Sequence, residues 1–201
     1  ILSCPNFADM SMPSAVFRID KDRNIKKWFD VPVNPETGEA RSMGIEFGPD
    51  GDLYMVDNPG WTGREDLVFT GRILRLRLNE QGVEKCTVVA DHMEHPNGIR
   101  IKGDYMYVTQ SCMVNQKTES GKLMSCVYRF PLDAEGIHCT NTLADPHIFL
   151  TFITENPKCQ YGVDGIVFDH DGNLYVGNFG DGVVHKITFN PDGSIFTLTT
   201  E

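Results

Sequence analysis

One phrase returns three times along this chain and constrains its fold more than any other feature. Met43-Gly44-Ile45-Glu46-Phe47 runs through Gly48-Pro49-Asp50-Gly51 into Asp52-Leu53-Tyr54-Met55-Val56-Asp57. Pro96-Asn97-Gly98-Ile99-Arg100-Ile101 runs through Lys102-Gly103 into Asp104-Tyr105-Met106-Tyr107-Val108-Thr109. Val163-Asp164-Gly165-Ile166-Val167-Phe168 runs through Asp169-His170-Asp171-Gly172 into Asn173-Leu174-Tyr175-Val176-Gly177. Each copy is an apolar strand, a turn closed by glycine, and a second strand rich in Tyr, Val and Met, which together spell a β-hairpin.

A third strand follows each hairpin, over Arg72 to Leu78, Ser125 to Phe130 and Val183 to Phe189, and ends at a glycine-bearing turn at Gly82, Gly136 or Gly193. A weaker fourth strand comes next. Ala15 to Ile19 and Ile25 to Phe29 fit the same scheme as a third and fourth strand around the turn Asp20 to Asn24. Four antiparallel strands recurring at about 50 to 65 residues, with no helical periodicity of useful length, describe the blades of an all-β propeller. An ordinary β-sandwich does not require the same phrase to recur. The expected division is one propeller domain over 1–201, with 1–30 ending a blade and 43–92, 96–152 and 163–200 forming three more. Closed propellers have typically 4 to 8 blades, so these three and a half are expected to be a piece of a protein of about six.

A chain of 201 residues with 40% hydrophobic and 23% charged residues can bury a substantial core. Its net charge of -10 repels nucleic acid, and no basic cluster longer than Lys26-Lys27 offsets that. No apolar run approaches the roughly 18 residues of a membrane span, and no basic segment followed by an apolar stretch marks a signal peptide. The compartment, cytoplasmic or secreted, stays open. The six cysteines show no spacing that suggests a zinc site. Cys112 and Cys126 flank the polar stretch Asn115 to Gly121; free buried thiols are the favoured reading, with a disulfide across a hairpin as the alternative.

In a propeller the first strand of each blade lines the central channel, so the residues opening those strands converge. Here these are Met43, Asn97 and Asp164, each just before a Gly-Ile pair. Amide and carboxylate oxygens around one axis suit a hard cation such as Ca²⁺, which takes 6 to 8 oxygens at about 2.3 to 2.6 Å. Asn and Asp before Gly are also ordinary turn formers. The loops after the second strands should border a small, partly apolar ligand, and they offer Asn58 with Trp61, Gln110 with Met113, and Asn178 with Phe179. His92 and His95 precede Asn97, whereas His138, His147, His170 and His185 have no spacing that indicates a site. No serine-hydrolase elbow, H-E-x-x-H or P-loop pattern occurs.

At His95-Pro96-Asn97-Gly98-Ile99 and at Val163-Asp164-Gly165-Ile166 with Asp171-Gly172-Asn173-Leu174-Tyr175-Val176, the sequence resembles the senescence marker protein, gluconolactonase and luciferin-regenerating enzyme family. Diisopropylfluorophosphatase and paraoxonase are more distant relatives. The resemblance implies a six-bladed propeller with a catalytic Ca²⁺ or another divalent cation. It implies Asn97 and Asp164 as metal ligands, with Asp164 also the base or nucleophile. The expected activity is calcium-dependent hydrolysis of a lactone or ester, with a phosphotriesterase-like hydrolase or a non-enzymatic ligand- or partner-binding propeller as alternatives. Two features depart from the family. Met43 stands where phosphotriesterase relatives carry Asn, and a thioether is a poor calcium ligand. Val167 stands where some relatives carry an acid for a second calcium. The family's first-blade Glu ligand would precede Ile1, and with Val167 in place of the second site's acid, one metal at most is expected, with fewer protein oxygens and more water.

Overall fold

The computed structural model describes residues 1–201 as strands joined by tight turns, with two short 3-10 segments at Pro59–Thr62 and Glu65–Leu67. The strands are β1 (Leu2–Cys4), β2 (Ala15–Ile19), β3 (Ile25–Asp30), β4 (Ser42–Phe47), β5 (Leu53–Asp57), β6 (Gly71–Asn79), β7 (Gly82–Met93) and β8 (Pro96–Lys102). They continue as β9 (Tyr105–Gln110), β10 (Leu123–Pro131), β11 (Ile137–His138), β12 (Ile148–Thr154), β13 (Val163–Phe168), β14 (Leu174–Asn178), β15 (Val183–Phe189) and β16 (Ile195–Thr200). Tyr54, Met106 and Tyr175 fall on β5, β9 and β14, the second strands of three four-stranded meanders.

Two compact units divide the chain. The first comprises residues 1–96 and 133–139 and holds the sheets β1-β2-β3 and β11-β7-β6-β5-β4. Its core is Val16, Phe29, Val31, Ala40, Leu53, Met55, Leu74 and Leu76, with Trp28, Ile45 and Val88 packed against it. Alternation explains the choice: Leu53 and Met55 on β5 and Leu74 and Leu76 on β6 sit two apart and share one face. Register couples them directly, Leu53 facing Leu76 and Met55 facing Leu74. Asp57 closes β5 fully buried, its Oδ2 accepting from Arg72 Nε at 2.9 Å and Nη2 at 2.5 Å, its Oδ1 from the Arg41 N–H at 2.6 Å.

The second unit, residues 97–132 and 140–201, holds the sheets β12-β10-β9-β8 and β13-β14-β15-β16. Tyr107, Val127, Phe152, Val163, Ile166, Leu174, Val176 and Ile187 form its core. The rings of Phe149 and Phe168 meet Tyr107 edge-on at 5.4 and 5.1 Å between centroids, an arrangement the ring quadrupoles favour. Gly172 closes the β13–β14 turn at φ +84°, where a side chain would be strained.

One reading left open by the sequence is decided here, and one sequence expectation is corrected. The disulfide does not form, and both Cys112 and Cys126 are buried thiols. Register is the reason: Cys126 pairs with Gln110, and Met113 donates its N–H to Met124, so the two sulfurs are not at opposed positions of the hairpin. The strand after the Gly136 turn is also not the fourth strand of its own sheet. Gly136 donates its N–H to Val88, and β11 joins β7 in parallel before the chain returns to form β12.

Candidate active and metal site

Asn97 and Asp164 each occupy the second position of their strand, β8 and β13. The local backbone re-aims Asp164. On β13 the ladder breaks between Val163, paired with Asn178, and Ile166, paired with Val176, so Asp164 and Gly165 form a bulge. β4 carries the same break between Ser42 and Ile45, around Met43 and Gly44. A bulge turns a side chain away from strict alternation and is over-represented beside active sites.

Thr109 locks the two strand openings together. Its buried hydroxyl accepts the Gly98 N–H at 2.7 Å and donates to the Asp164 carbonyl at 2.6 Å. Gly98 has to be glycine at this crossing. A Cβ there would lie 2.9 Å from the Asp164 carbonyl oxygen and 2.9 Å from Ile166 Cγ2.

The side chains meet as well. Asn97 donates a hydrogen bond to the Asp164 carboxylate and a second, at 3.3 Å, to Ser111 Oγ. With both amide N–H groups so directed, the amide oxygen is the coordinating atom Asn97 has to offer. Asp164 is half-buried, and desolvation pushes its pKa above the ordinary carboxylate value, opposed by the Asn97 hydrogen bond. The pair thus offers one amide oxygen and one carboxylate. Such hard donors fit Ca²⁺ or Mg²⁺ and do not fit a thiophilic ion.

The residues expected to border a ligand fall into two groups. In the first unit Asn58 is fully buried; its Nδ2 donates to the Pro96 carbonyl at 2.8 Å while its Oδ1 has no hydrogen-bond partner. Trp61 lies 5.7 Å, centroid to centroid, from the buried ring of His95, whose pKa burial lowers, so that imidazole is neutral at pH 7. In the second unit Gln110 is buried and donates to Asn141 Oδ1 at 3.1 Å, and Met113 is fully buried. Asn178 is buried in a network with Thr154 and Asp181, at 3.5 and 3.4 Å. Phe179 alone among them is well exposed, at 66%.

Sequence reading missed Thr109 and Ser111. Thr109 lies near the end of β9 and Ser111 just beyond it, where every residue from Met106 onward to Ser111 is buried, so alternation gives no hint of which side chain faces the site.

Solved structures place this fold in a class. The chain is similar to a protein from Lactobacillus plantarum, with a TM-score of 0.54 and 15% identity over 92% of this chain and 50% of that one. It is similar to the periplasmic gluconolactonase of Pseudomonas aeruginosa, with a TM-score of 0.57 and 17% identity over 95% and 50%. A gluconolactonase of Xanthomonas campestris gives 0.51 and 18% over 90% and 53%. At such identities the likeness shows the fold, which is of the β-propeller type. The chain spans about half the length of these solved structures. No curated protein matches its sequence significantly. Residues 8–200 match the family described as SMP-30/Gluconolactonase/LRE-like region, and the chain belongs to that family.

Proposed function

We propose that the protein is a calcium-dependent hydrolase acting on a lactone. The observation that carries this reading is the contact between Asn97 and the half-buried Asp164 carboxylate, each at the second position of a sheet-opening strand and fastened by the Thr109 bridge. Membership of the family supports it, and so do the gluconolactonases among the structural neighbours.

Asn97 Oδ1 and the Asp164 carboxylate would hold the ion. Bound there, a dication would supply Lewis-acid polarisation of a carbonyl or phosphoryl oxygen. Asp164 supplies the rest, as a general base that takes a proton from the attacking water or as the nucleophile at the carbonyl carbon. Ser111 and Thr109 act as positioning residues: one orients the Asn97 amide, the other fixes the Asp164 backbone.

A second reading rests on Met43. At the bulge of β4 it sits where Asp164 sits on β13, and it contributes no hard oxygen. That favours a propeller that binds a ligand without turning it over. A panel of sugar lactones and phosphotriesters, assayed with excess Ca²⁺ and again with chelator, separates the readings. Calcium-dependent ring opening of a lactone is expected. Hydrolysis of phosphotriesters alone, or ligand binding without hydrolysis, would contradict the lactonase reading.

A further inference from the structure

Within the first unit, three metal-ligating side chains converge at the edge of β7. His92 Nδ1 lies 2.7 Å from Asp91 Oδ1, and His138 Nδ1 lies 2.5 Å from the same oxygen. The two Nδ1 atoms are 3.2 Å apart, and the rings stand nearly perpendicular at 80°. All three donor atoms fall within 4.8 Å of one another. We propose that Asp91, His92 and His138 form a second metal site, distinct in chemistry from the first, that takes Zn²⁺ or a similar borderline divalent ion.

Two consecutive strand residues normally point to opposite faces. Asp91 and His92 reach one point because His92 adopts the left-handed conformation, at φ +57°, which few non-glycine residues populate. The third ligand comes from far along the chain. β11 pairs in parallel with β7, Ile137 facing Ala90 and His138 facing Asp91, so the pairing register brings His138 to the cluster. The Cys139 N–H fixes that register through the Asp91 carbonyl, at 3.1 Å.

Donor type and spacing select the ion. Two imidazole nitrogens and one carboxylate suit Zn²⁺, Ni²⁺ or Cu²⁺ and not Ca²⁺, which takes oxygens. Zn²⁺ bonds of about 2.0 to 2.1 Å in tetrahedral geometry put ligands about 3.3 Å apart. The 2.5 to 3.2 Å edges here open to that with a small shift of exposed side chains. His92 and His138 side chains are 60% and 71% exposed, which gives the ion an entry path and leaves its remaining position to water. An ion held there clips the two-residue strand β11 onto β7 and so protects a sheet edge.

The test is Zn²⁺ titration of the protein against a chromophoric chelator, with millimolar Ca²⁺ present throughout so that the calcium site does not compete. One equivalent should bind with micromolar affinity and raise the melting temperature. His92→Gln and His138→Ala should each weaken binding by at least about tenfold, since either removes a ligand. His170→Ala, at an unrelated exposed histidine, should leave it unchanged. Far-UV circular dichroism confirms that the variants are folded, and His92→Gln, which leaves β11 intact, guards against loss of strand pairing in His138→Ala. Absence of binding at 100 μM Zn²⁺ (about a hundredfold above a micromolar constant), or binding that neither histidine variant weakens, would overturn the proposal. Neither result bears on lactone hydrolysis, which depends on Asn97 and Asp164.

Discussion

Asp164→Asn should lower kcat for the best lactone by about 10² to 10⁴, the range for a lost general base, while leaving the fold in place. Asn keeps the size and one ligating oxygen. It removes the charge that offsets a dication and the lone pair that accepts a proton. The change should not harm stability at neutral pH. Burial raises the folded-state pKa of Asp164, so its contribution to stability is full below the unfolded carboxylate pKa and is lost as pH rises through the raised value. In the metal-free protein at pH 7 the ionised form is therefore a liability that Asn relieves. Steady-state kinetics beside a thermal melt checks both halves, and activity within about threefold of the unmodified protein would remove Asp164 from the mechanism, being far below the range of a lost base.

The largest stability effect should come from the buried ion pair of the first unit. Arg72→Ala is expected to destabilise the protein by about 3 to 5 kcal/mol, because it leaves the Asp57 carboxylate buried and unpaired. Asp57 is fully buried and Arg72 is 5% exposed, so water cannot take over the lost hydrogen bonds. The Arg72 Nη2 bond to the Pro32 carbonyl, at 3.1 Å, is lost with it. Replacing both partners with apolar residues of similar volume should recover much of the loss, since the penalty lies in the orphaned charge and not in the absent pair. Urea unfolding of the single and double variants tests this. A loss under about 1 kcal/mol for Arg72→Ala would mean that Asp57 is held neutral or is reached by solvent.

How far the sequence specified this molecule depends on whether a feature is local. The three hairpins were legible because each is written within about fifteen residues, with the glycine of its turn and the apolar alternation in one phrase. The same phrases name Asn97 and Asp164 as candidates, since each opens a strand and stands just before a Gly-Ile pair. The β11 excursion was not legible. A glycine turn at Gly136 reads the same whether the chain folds back at once or first visits another sheet, and two residues are too few for a strand pattern. The histidine cluster was hidden for the same reason, His138 standing 46 residues from His92. The state of Cys112 and Cys126 stayed open in the sequence because it turns on register, which a polar loop of unknown turn geometry does not determine. Buried residues such as Asn58 and Gln110 could be named but not oriented, because their bonds to Pro96 and Asn141 connect separate segments.

The central claim is that Asn97 and Asp164 hold one catalytic calcium, and a crystal structure of the protein grown with Ca²⁺ tests it most directly. The expected result is one strong density peak with Asn97 Oδ1 and an Asp164 carboxylate oxygen both about 2.3 to 2.6 Å away and waters completing 6 to 8 ligands. A peak bound by only one of the two residues, or no calcium within reach of either at millimolar concentration, would contradict it.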